Sequence, residues 1–181
     1  THASANQGEI ETVEADTGKR NIEWLHEVGL TGDDVVLAHC VWTDEREREL
    51  LAETNTHVTH CPSSNMKLAS GIAPVVDYLD RGINVALGND GPPCNNTLDP
   101  FTEMRQASLL QKVDQLDPTA LPAQDIFEMA TINGARAAGF EQVGALREGW
   151  KADLIGLRTD VTRAVPLYDL LSHLVFAARA S

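Results

Sequence analysis

Apolar positions in this chain fall into short blocks separated by stretches where they recur at helical spacing. Three runs, residues 35–39 (Val-Val-Leu-Ala-His), 57–60 (His-Val-Thr-His) and 83–87 (Ile-Asn-Val-Ala-Leu), are too short for helices and each predicts a strand. Between them, residues 44–53 carry Leu50 and Leu51 in a charged background, and residues 73–80 place Val75, Val76 and Leu79 on one face; both read as crossover helices. Gly29 and Gly82 stand where a helix must stop before a strand begins, and Gly71 marks a further break. This alternation predicts βα units on a parallel sheet.

After the third strand the pattern becomes helical. Asp99 is placed as an N-cap, Pro100 sits at the first helical position, and Phe101, Met104 and Ala107 or Ser108 form an inward stripe that should run to about residue 112. A second helix is expected over about residues 122–138, with Ile126, Met129 and Ala130 inward and Gly139 as its C-cap. Glu148-Gly149-Trp150-Lys151 reads as a turn, residues 152–157 as a strand, and residues 167–178 as an apolar helix. The first residue is Thr, and Thr1-His2-Ala3-Ser4 has the look of a strand end, so the chain is expected to start in mid-domain and to stop short of a domain end. A parallel barrel takes eight strands, and an open sheet of three or four leaves unpaired edges. The expected organisation is a partial barrel over residues 1–140 and a return segment toward a small β domain over 141–181.

Composition narrows the function classes. With 43% hydrophobic residues among 181, the chain can bury a substantial core. A formal net charge of −13 argues against a surface that tracks phosphates, so nucleic acid is not an expected partner. No apolar run approaches the roughly 20 residues needed to span a bilayer, and the N-terminus lacks the basic and apolar parts of a signal peptide. Cys40, Cys61 and Cys94 form no Cys-x-x-Cys pair, and their odd number leaves at least one free. Together these predict a cytoplasmic protein.

The chemistry gathers at strand ends. His39 closes the first full strand, His60 the second, Asp90 follows the third, and His2 ends an earlier one. That end is where parallel α/β barrels build their sites, because the loops there converge on one mouth. One such His is as readily a hydrogen-bonded core or loop residue; the combination is what points to a divalent ion. Such an ion lowers the pKa of bound water toward neutrality, a neighbouring carboxylate can take the proton, and a His can steady the developing charge. The cysteines read as packing, His173 as structural, His26 and His57 match no site position, and the mixed-sign run 44–49 reads as a solvated helix face.

Ala38-His39-Cys40-Val41, the segment Thr59 to Leu68 (THCPSSNMKL), Gly71-Ile72-Ala73-Pro74 and Leu87-Gly88-Asn89-Asp90-Gly91 resemble the amidohydrolase superfamily, in the branch of triazine hydrolases and S-adenosylhomocysteine or methylthioadenosine deaminases. The resemblance takes in Asn95-Asn96, Glu103-Met104-Arg105 and the 148–154 segment, and so covers nearly the whole chain. It implies the C-terminal part of a (β/α)8 TIM-type barrel, strands five to eight with their helices, and the start of a return into a β-sandwich domain. It implies His2 and Asp90 as metal ligands, Asp90 also shuttling protons, His39 as the catalytic histidine, and His60 either lining the substrate pocket or fixing its loop. The ion would be Zn²⁺, with Fe²⁺ admitted by the same ligands, and the substrate a small heteroaromatic molecule.

Two departures matter. The sequence has no His-x-His, the pair that supplies the remaining metal ligands in relatives, so the isolated chain is expected to be inactive. And His2-Ala3-Ser4-Ala5 ends in Ala where deaminating relatives carry a proton-donating Glu; Glu9 and Glu11 are expected on the surface of the following helix. The leading expectation is hydrolytic deamination of an aminated purine or pyrimidine-type ring by metal-bound hydroxide. The alternatives are chloro- or aminohydrolysis of an s-triazine, and an inactive or incomplete homologue that only binds. Unpaired sheet edges leave a homo-oligomer open.

Overall fold

The computed structural model describes residues 1–179. Four parallel strands, β1 (His2–Ala3), β2 (Val36–His39), β3 (His57–His60) and β4 (Val85–Leu87), lie side by side in chain order. Helices α1 (Gln7–Thr17) and α2 (Asn21–Glu27) connect β1 to β2, α3 (Glu45–Glu53) connects β2 to β3, and α4 (Pro62–Lys67) and α5 (Val75–Asp80) connect β3 to β4. Gly29 and Gly82 adopt left-handed φ of 78° and 76° ahead of their strands, the stops the sequence predicts.

The core lies between sheet and helices. Ala3, Leu37, Val58 and Val85 from the strands meet Ile22, Leu50, Leu51, Val75, Tyr78, Met104, Ile126 and Met129. Within the described residues β1 and β4 have one strand neighbour each, so the sheet stays open at both edges.

The run at residues 44–49 departs from a solvated face at one position. Glu47 is fully buried, accepting hydrogen bonds from Ile22 N at 2.9 Å and Arg20 Nε at 3.0 Å while completing the capping box with Asp44. A buried carboxylate persists only where donors replace its water, and Glu47 has them from α2 and its own cap.

Beyond β4 come α6 (Pro92–Asn95), α7 (Pro100–Gln115), α8 (Ala123–Met129), α9 (Ile132–Ala137) and α10 (Leu170–Phe176). Asp99 caps α7 through Phe101 N, and the helix runs three residues past the expected end before Leu116 turns left-handed at φ 52°. The single helix expected over 122–138 is two. Thr131 Oγ1 donates to Phe127 O at 2.6 Å and its backbone leaves helical geometry at φ −128°, ψ −93°, a side chain competing with the helical ladder. Residues 152–157 form no strand: Leu154, Ile155 and Leu157 are exposed, and with no partner strand among the described residues there is no ladder to join. Helix α10 packs against α7 and α8 and contributes buried Val175 to the core.

Candidate functional site

The parallel register brings the strand ends together. His2 pairs with Ala38 and Ala3 with His39, and His60 pairs with Leu87, three residues before Asp90. Ser4, His39, Cys40 and Asp90 all take positive φ, between 44° and 74°. Left-handed backbone is unfavourable for such residues, so its concentration at one edge of the sheet marks where the chain is bent to aim side chains.

Three of the predicted site residues meet there. Metal-competent atoms of His2, His39 and Asp90 lie within 4.8 Å of one another, with His2 exposed, His39 buried and Asp90 half-buried. The His2 and His39 rings stack, centroids 5.2 Å apart and planes at 16°. Asp90 Oδ2 accepts from Ser64 Oγ, and Oδ1 from Gly91 N at 2.6 Å. The Ser64 hydroxyl first, then the Gly91 N–H and the nearby His39, hold the Asp90 carboxyl below its ordinary range against the opposing effect of burial. Two imidazoles and an ionised carboxylate are a donor set that suits Zn²⁺.

His60 does not join this group. It is fully buried, neither ring nitrogen has a hydrogen-bond partner, and burial, reinforced by neighbouring His39, pushes its pKa down to about 4. It therefore stands near the site as a neutral ring.

The expectation for Glu9 needs correction. It is half-buried, and its carboxylate accepts from Ala5 N at 2.7 Å and Asn21 Nδ2 at 2.5 Å, whereas Glu11 is exposed as expected. The Asn6 cap starts α1 so early that Glu9 folds back over the turn. Both bonds are accepted ones, so Glu9 ties down the backbone beside Ala5. Cys40 and Cys61 match the packing expectation, whereas Cys94 is half-buried and hydrogen-bonds Asp90. All three are free; Cys40 and Cys61 are buried, with the Cys61 thiol pushed up to about 12 by burial and by the Asp90 and Glu103 carboxylates.

In the sequence, Ser63, Ser64, Asn65, Asn95 and Glu103 stand out only as parts of motifs. The structure gives them contacts: Ser64 to Asp90, Asn65 Oδ1 to His39 Nδ1 at 2.9 Å, and fully buried Glu103 to Ser63 N at 3.1 Å and Asn95 Nδ2 at 2.7 Å. Asn95 Nδ2 also donates to Asn89 O at 2.8 Å, beside Asp90. For Ser63, Ser64 and Asn65 the signal was a run of small polar residues shortly after a strand that ends in His.

A model of the amidohydrolase family matches residues 1–180. A 5-methylthioadenosine/S-adenosylhomocysteine deaminase of Syntrophobacter fumaroxidans is 51% identical over 181 residues, 99% of this chain and 41% of that protein. Among solved structures, an adenosine deaminase from Xanthomonas campestris with bound zinc matches with TM-score 0.94 at 38% identity, covering 98% of this chain and 40% of that one. An atrazine chlorohydrolase from Arthrobacter aurescens complexed with zinc matches with TM-score 0.88 at 26% identity, covering 98% and 40%. This chain thus spans about two-fifths of the length of the proteins it matches. Among the described residues no helix is long and apolar enough to cross a membrane.

Proposed function

Because this chain belongs to the amidohydrolase family, we propose that the full-length protein is a zinc-dependent hydrolase that replaces the amino group of an aminated purine or pyrimidine-type ring by oxygen, releasing ammonia. The observation that carries the reading is the convergence of His2, His39 and Asp90 at one end of the sheet, within 4.8 Å. The names of the matched deaminases favour an adenosine-type nucleoside as substrate.

His2 and Asp90 would hold the ion, with further ligands from residues outside this chain. Zinc, when bound, acidifies water enough to supply a nucleophile at neutral pH. Asp90, kept ionised by Ser64 and Gly91, accepts the proton of the attacking water and returns it to the departing amine. His39 accepts a hydrogen bond from the O–H of the attacking water and so orients its oxygen toward the ring. Water and the aminated ring become the hydroxylated ring, in its keto form, and ammonia.

The reading takes β1–β4 as the fifth to eighth strands of the barrel. It rests on the order His2, His39, His60, Asp90 at successive strand ends and on a sequence without His-x-His. A full-length sequence with that pair after Ser181 rather than before Thr1 would overturn the placement. Residues 141–181 are read as the return toward a second, β-rich unit, and the three free cysteines suit a reducing, cytoplasmic setting.

One observation favours a second reading. Ala5 cannot donate a proton, and displacing chloride from a chlorotriazine asks less of an acid than displacing an amine. The test is ammonia and chloride release by the zinc-loaded full-length protein from adenosine, guanine, cytosine and chlorotriazine substrates. Ammonia release supports deamination, chloride release alone supports the second reading, and neither, with zinc bound, makes the protein an inactive homologue.

A further inference from the structure

Helix α4 follows β3 and brings consecutive side chains to different parts of the site. Ser63 bonds the Glu103 carboxylate through its backbone N and its hydroxyl, Ser64 Oγ donates to Asp90, and Asn65 Oδ1 meets His39 Nδ1 at 2.9 Å. Ser64 and Asn65 are each 1% exposed and Glu103 is fully buried. The helix is held at both ends: Asn65 N donates to Cys61 O at 3.0 Å, and Ser70 N donates to Asn65 O at 2.8 Å. Asn65 has little freedom to move, and its amide oxygen is fixed at one edge of the His39 ring.

An amide oxygen only accepts hydrogen bonds, so the His39 nitrogen facing it must carry the proton. We propose that Asn65 is the positioning residue of His39, fixing the tautomer with Nδ1–H directed to the amide and the lone pair on Nε2. The contact to Asn65 is the only hydrogen bond of the His39 ring among the described residues. A neutral imidazole has two tautomers that place donor and acceptor at opposite edges, and a ring at hydrogen-bonding distance from the reacting oxygen works in one of them. The same contact fixes the ring plane, which the stack on His2 and the left-handed backbone of His39 at φ 74° fix from other directions. Asn65 Nδ2 is buried without a partner, so the amide is retained at a cost that its oxygen must offset.

The inference rests on the reading of His39 as the catalytic histidine, and its test has a readout that needs no turnover. In ¹⁵N-histidine-labelled, zinc-loaded full-length protein, two-bond ¹H–¹⁵N correlations of the neutral His39 ring should report the Nδ1–H tautomer. Asn65→Leu, which keeps the branching at Cγ and removes the acceptor, should give the Nε2–H form or a mixture, and Asn65→Asp, which restores an acceptor, should return Nδ1–H. In kinetics, Asn65→Leu should lower kcat at least tenfold with zinc content unchanged, and Asn65→Asp should recover most of it. An Nε2–H tautomer in the unsubstituted protein, or an unchanged tautomer in Asn65→Leu, overturns the proposal whether or not the protein deaminates. Absence of ammonia release with the tautomer as expected would remove the functional reading and leave the positioning intact.

Discussion

His2 and His39 stack face to face, ring centroids 5.2 Å apart and planes inclined by 16°, on neighbouring strands in a register that pairs His2 with Ala38 and Ala3 with His39. The stack joins an exposed ring to a buried one. Among the described residues, only His39 of the two is tied to a side chain from another connection, through Asn65. The two histidines are thus neighbours with different surroundings, and the account gives them different work.

That division predicts separable mutant phenotypes. His2→Ala and Asp90→Asn should lose zinc, read as metal per protomer after dialysis. His39→Asn should keep zinc and lose about 10²- to 10⁴-fold in kcat, the range for removing a group that assists proton transfer. Zinc loss in His39→Asn equal to that in His2→Ala would make His39 a ligand.

Ala5 leaves the proton for the ring nitrogen unassigned, while Glu9 is tied to Ala5 N and Asn21 Nδ2. Ala5→Glu should raise kcat for ammonia release by about 10²-fold or more, while chloride release from a chlorotriazine changes little. Parallel assays of the two products check this, and a variant that accelerates neither counts against an acid role at this position.

His60 makes stability depend on pH in a defined window. Its pKa is pushed down to about 4 in the folded chain from an ordinary 6.5, so between these values the unfolded chain binds the extra proton. Stability should therefore fall as pH drops from about 6.5 to about 4, by on the order of 3 kcal/mol for a ring this buried. Asp90, held below its ordinary range, loses its contribution only at more acidic pH, which separates the two effects. Denaturant unfolding of the protein and of His60→Leu should show the window in the first and its loss in the second.

Gly88 stands where β4 ends and the Asp90 loop begins. A Cβ there would lie 2.6 Å from Thr59 Cγ2 and 3.2 Å from Cys61 Sγ, both on the neighbouring β3 segment. Gly88→Ala should push the two segments apart, destabilise by about 1–3 kcal/mol as overpacking does, and weaken zinc binding through displacement of Asp90. Thermal unfolding and zinc titration read the two effects together.

The strands and their polar ends were legible because a parallel sheet imposes short apolar runs and places His39 and His60 at their last positions. The crossover helices were legible from spacing and caps, Asp44 and Asp99 among them. What escaped depends on partners distant in sequence or absent. Glu47 looks solvated until the α2 backbone is folded onto it. Thr131 breaks a helix through a bond to Phe127 that periodicity does not register. Residues 152–157 have strand composition without a strand to pair with among the described residues. Asn65 and Ser64 are ordinary polar residues until the β3 connection is laid against His39 and Asp90.

The most direct test of the account is ammonia release from adenosine-type nucleosides by the full-length protein, measured as prepared, after chelation, and after zinc is restored. The account predicts release that disappears with the metal, returns with it, and is lost in Asp90→Asn and strongly reduced in His39→Asn. Release that persists in both variants, or none from zinc-saturated, folded protein on any aminated purine or pyrimidine, would contradict it.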